Sequence, residues 1–108
     1  MAWTSLCDFD ELSEGRAKRV DIGGFFLAVY LHLGKVFVLD STCPHAGHDL
    51  SEGTVEEGCA VCRYHGWNFR LADGKMPSAP GVAITTYKTR LFPRSGQPTL
   101  VQADLPIF

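Results

Sequence analysis

Two short segments, STCPHAGH at positions 41–48 and CRYHGW at 62–67, each hold at least one cysteine and one histidine in tight register. Cys43 and His45 are separated by one residue, Cys62 and His65 by two, and sixteen residues lie between the two groups. Thiolate and imidazole are the side chains that bind borderline and soft metal ions. A chain that uses all four on one centre must bring two distant loops to one point, and that demand restricts the folds open to it. Cys59 adds a Cys-x-x-Cys with Cys62, so the rest of the chain has to decide which groups are ligands.

Strand signals dominate the remainder. Phe25–Leu31 and Lys35–Leu39 flank a turn at Gly34 and read as a β-hairpin. Further short strands are expected at Arg19–Ile22, Gly58–Val61, Trp67–Leu71, Tyr87–Phe92 and Thr99–Gln102, with Gly or Pro in nearly every gap. Helical periodicity is confined to a single turn near Phe9–Ser13. Many short strands at short intervals predict an all-β fold, a small antiparallel sandwich or barrel. Both Cys/His segments then fall in loops, which can converge from one end of the framework.

Size and charge narrow the function. At 108 residues the chain is expected to form one domain. A net charge of −2 gives no reason to expect nucleic acid or an anionic membrane as partner. The longest apolar run, Phe25–Leu33, contains His32 and is too short to cross a bilayer. The N-terminal MAWTSLCDFDE lacks the basic and apolar regions of a signal peptide, so a cytoplasmic location is expected. Four cysteines without an export signal are then free or metal-bound rather than bridged.

Zinc accepts two thiolates and two imidazoles in a tetrahedron, but its common modules pair like with like and fold around a helix. One Cys and one His from each loop suits a [2Fe–2S] centre in which one iron takes both thiolates and the other both imidazoles. The pattern Cys43-Pro44-His45-x-Gly47, Leu50-x-x-Gly53, Cys62-x-Tyr64-His65-Gly66-Trp67-x-Phe69, followed by Gly74 and Pro77–Gly81, resembles that of Rieske proteins. The resemblance is dense over 43–81. It implies a single Rieske domain over 1–108, a loop-built cluster-binding subdomain at about 41–81, and Cys43, His45, Cys62 and His65 as ligands of a Rieske-type [2Fe–2S] cluster. It also implies that the proline segment 77–81 shields the cluster.

Neutral imidazoles leave the cluster less negative than four thiolates would, which raises its potential to roughly −150 to +300 mV. High-potential respiratory members of the family carry an extra cysteine pair and two hydroxyls beside the cluster. The matching positions here are His48 with Tyr64, and Trp67 with Phe69. The low end of the range is therefore expected.

Other residues receive plainer readings. Cys59 is expected in the core, as free thiols favour burial. Cys7 should be inert, His32 a surface or edge side chain, His48 a loop residue, and Trp3, Trp67 and Phe69 packing groups. The acidic residues Asp8, Asp10, Glu11, Glu14, Glu52, Glu56 and Glu57 read as solvated charge.

The family includes ring-hydroxylating oxygenases, which need a second, mononuclear iron held by two histidines and a carboxylate. No histidine follows His65, so the resemblance points instead to a stand-alone ferredoxin, not itself an enzyme. Such a carrier takes electrons from a flavin-containing NAD(P)H reductase to a terminal oxygenase, typically in aromatic-compound degradation. The alternatives are the small Rieske-like subunit of an assimilatory nitrite reductase and a structural zinc domain.

Overall fold

The computed structural model describes residues 2–42, 49–63 and 66–106. Twelve strands and two short 3-10 turns follow one another: β1 (Ala2–Asp8), the turn Phe9–Glu11, β2 (Ala17–Ile22), β3 (Phe25–His32), β4 (Lys35–Asp40), the turn Leu50–Glu52, β5 (Thr54–Glu56), β6 (Cys59–Val61), β7 (Asn68–Arg70), β8 (Lys75–Met76), β9 (Ala79–Ala83), β10 (Thr86–Tyr87), β11 (Thr89–Arg94) and β12 (Gln97–Leu105). All strand pairs are antiparallel, in sheets ordered β1-β12-β11, β10-β4-β3-β2 and β5-β6-β7, with a β8-β9 hairpin. The expected all-β fold is what forms.

The β3–β4 hairpin organises the interior because its side chains alternate between two faces. Leu27, Val29 and Val38 pack with Cys7, Val101, Ala103 and Leu105 of the β1-β12-β11 sheet. Ala28, Tyr30 and Leu39 face the other way, where they meet Leu50, Ala60, Cys62, Phe69, Leu71 and Ile84. One sheet thus separates two cores, and the second core holds Leu50 and Cys62, which flank the two Cys/His segments in sequence.

The hairpin turns explain their own sequences. Leu33 and Gly34 have φ of 52° and 77°, and the Glu14 carboxylate accepts the N–H groups of both, at 2.7 and 3.2 Å. Two left-handed residues suit the right-handed twist of the flanking strands.

Several strand expectations need correction. The single strand expected at Tyr87–Phe92 is two: β10 pairs with β4 and β11 with β12, so the chain changes sheets at Lys88. Strands β1, β5, β8 and β9 were not foreseen. β1 carries a bulge between Ser5 and Cys7, which breaks the alternation by which a strand is recognised. The expected shielding segment 77–81 includes the β8–β9 turn and the start of β9 rather than forming an irregular loop. Trp3 is not a core residue. It is 40% exposed, with the Arg90 guanidinium carbon 4.4 Å from its ring centroid.

Candidate cluster-binding site

Cys43, His45 and His65, with His48 and Tyr64, lie outside the described residues; Cys62 lies within them. What the structure displays is the base of each loop, and both bases are tied down. Beyond β4, Ser41 extends the ladder by donating its N–H to Phe26 O at 2.8 Å, and Leu50 donates back to Ser41 O at 2.5 Å. Thr42 and Asp49 then form an antiparallel bridge that closes the first loop. The second loop closes where Cys62 donates its N–H to Trp67 O at 2.7 Å.

Asp49 is the main anchor of the first loop. Its carboxylate accepts from Ser51 N–H at 3.0 Å, from the Ser51 hydroxyl at 2.6 Å and from Arg19 Nη1 at 2.7 Å. Burial alone would raise its pKa; the Ser51 hydroxyl and the Arg19 guanidinium outweigh it and hold the carboxyl below the ordinary range. Sequence reasoning missed this residue, although Asp-x-Ser ahead of a helical turn is an N-cap signal.

The two bases also meet each other. A Cβ on Gly53 would sit 1.8 Å from Val61 O, so only glycine lets the strand leading to Cys62 pass so close. Glu52 and Arg63 add an ion pair at 3.8 Å. Leu50 and Cys62, which flank the two loops, are both almost fully buried in one core. Tyr30 stands beside them, its hydroxyl 3.4 Å from Leu50 O. Burial, with the nearby charges of Asp49 and Cys62, raises the Tyr30 pKa, so the phenol keeps its proton.

The remaining cysteines behave as packing groups. Burial pushes the Cys7 thiol up to about 11 and also raises that of Cys59, which lies buried in β6 opposite Arg70. Neither favours the thiolate that a nucleophile or ligand requires. His32 is partly buried, its Nδ1 3.8 Å from Glu14 Oε2. Phe69 is fully buried and Trp67 packs on the same core. Of the acidic residues, Asp8 pairs with Arg94, Glu11 with Lys18 and Glu52 with Arg63.

The described part of the site suits an iron–sulfur centre. Cys62 is an unbridged, buried thiol, a soft donor group held at a fixed loop base. Ser41 Oγ is the one buried side-chain polar atom without a hydrogen-bond partner among the described residues. An unsatisfied buried hydroxyl costs about 1–3 kcal/mol, and this one stands two residues before Cys43, where a bound cluster would bring sulfur acceptors.

The comparisons with known proteins point to the same kind of centre. Cholesterol 7-desaturase nvd of Xenopus laevis is 41% identical over 80 residues, which are 72% of this chain and 18% of that protein. The chain spans about a fifth of the length of such desaturases. Ferredoxin CarAc of Metapseudomonas resinovorans is 32% identical over 72% of this chain and 74% of its own. The Sphingomonas yanoikuyae B1 ferredoxin superposes with a TM-score of 0.81 at 28% identity, covering 97% of this chain and all of that one. Residues 2–88 match the Rieske [2Fe-2S] domain. The chain therefore belongs to the Rieske [2Fe–2S] domain family, and it is an electron-carrying domain built around a Rieske-type cluster.

Proposed function

We propose that the chain is a ferredoxin that carries single electrons from a flavin-containing NAD(P)H reductase to a terminal oxygenase of the type that attacks aromatic compounds. The observation that carries this reading is its likeness to two ferredoxins along most or all of their lengths. The desaturase matches, by contrast, involve only a fifth of those proteins. A single domain over 1–108 suffices for such a carrier, and a cytoplasmic setting suits the unbridged Cys7, Cys59 and Cys62.

In this reading Cys43 and Cys62 hold one iron of the cluster, and His45 and His65 hold the other. The bound cluster supplies one-electron redox chemistry. The protein's part is to fix the two loops: Asp49 pins the first to Arg19, the Cys62–Trp67 bond closes the second, and Gly53 lets them approach. The buried core of Leu50, Phe69 and Leu71 keeps water from the inner side.

Purification under anaerobic conditions tests the reading. A red-brown protein that gives a rhombic EPR signal on reduction, and that relays electrons from a flavin reductase to an oxygenase, is expected. His45→Ala and His65→Ala should each abolish or remodel that spectrum, while Cys59→Ala leaves it unchanged. A colourless protein with stoichiometric zinc would overturn it.

A further inference from the structure

We infer that the Ser41 hydroxyl is a hydrogen-bond donor to a sulfide of the bound cluster and sets its reduction potential upward. The inference rests on the cluster ligation proposed above. Ser41 follows β4 and extends its ladder, its N–H donating to Phe26 O at 2.8 Å. By strand alternation it shares a face with Leu39, whose side chain lies in the core that also holds Leu50 and Cys62. The residue is 1% exposed, and its hydroxyl has no partner among the described residues. Its carbonyl is engaged by Leu50 N–H, which fixes the backbone, and its burial keeps the side chain from water.

A buried hydroxyl without an acceptor among the described residues, two positions before Cys43, fits an acceptor that is not protein. Sulfide is that acceptor. The interaction strengthens as the cluster gains negative charge on reduction, so it favours the reduced state and raises the potential. Trp67 and Phe69 offer no hydroxyl from the second loop; Ser41 supplies one from the first.

The test is Ser41→Ala, read by redox titration of the cluster and by thermal unfolding of the cluster-free protein. Loss of the donor should lower the ratio of reduced to oxidised cluster about tenfold at a fixed potential, a shift of about 59 mV downward for a one-electron couple. Ser41→Thr, which keeps the hydroxyl, should restore the wild-type value. The cluster-free Ser41→Ala protein should unfold at the same temperature as wild type or higher, because it loses only an unpaired polar group. A Ser41→Ala protein that keeps its cluster at the wild-type potential overturns the inference. So does one whose cluster-free form unfolds at a lower temperature and no longer takes up the cluster, since the hydroxyl would then be structural. A wild-type protein that binds no iron–sulfur cluster would instead refute the ligation beneath it, a different and separable failure.

Discussion

Asp49 shows how one side chain can pin the base of a loop. Its three hydrogen bonds join the 3-10 turn, the loop base and β2. Its carboxyl is held below the ordinary range, so it stabilises the fold at every pH above the unfolded value of about 3.9 and loses that contribution as pH falls through the lower folded value. Urea midpoints measured from about pH 5 down to pH 3 should therefore fall more steeply for wild type than for Asp49→Asn. At pH 7 the variant should already be less stable by about 1 kcal/mol, because Arg19 and Ser51 lose a charged acceptor at a partly exposed site. Parallel pH profiles for the two proteins would contradict this account. Asp49 was legible in principle, because its spacing to Ser51 is a capping signal. Ser41 was not: nothing in a sequence tells that one serine hydroxyl will be buried without a partner.

At the scale of elements, the β3–β4 hairpin is the most readable part of the chain, and the reason is local. Gly34 between two apolar runs dictates a tight turn, and β3 and β4 fall within one residue of the ends expected for them. Where structure depends on distant partners, the reading failed. β10 and β11 form one continuous run of strand-favouring residues, and only their different neighbours separate them. The β3–β4 turn also contains an avoidable strain. Leu33 adopts φ of 52° while 80% exposed, so it bears the left-handed penalty and gains little burial. Asn is the residue this turn type favours. Leu33→Asn should raise the stability by about 0.5–1 kcal/mol, visible as a higher midpoint in thermal unfolding, with the cluster spectrum unchanged. A lower midpoint would mean that Leu33 makes a contribution its exposure conceals.

Across the whole molecule, the central sheet divides the interior into two cores with different dependence on the cluster. The core of Leu27, Val29, Val38, Val101, Ala103 and Leu105 is built wholly from regular strands. The other contains Leu50 and Cys62, whose positions depend on the two loops that the cluster would join. Binding that occurs only in the folded state adds stability to whatever it orders, and local openings expose the parts left weak when it is removed. Cluster removal should therefore act on one half of the protein. Hydrogen exchange of the cluster-free form should speed up at the N–H groups of Leu50 and Cys62, which close the two loop bases, and through β5, β6 and β7. The amides that pair β12 with β1 and β11 should stay protected. The same asymmetry should appear as protease cleavage confined to the loop-bearing half. Uniform acceleration across both cores would mean that the cluster stabilises the fold as one cooperative unit, and that the central sheet does not insulate one core from the other.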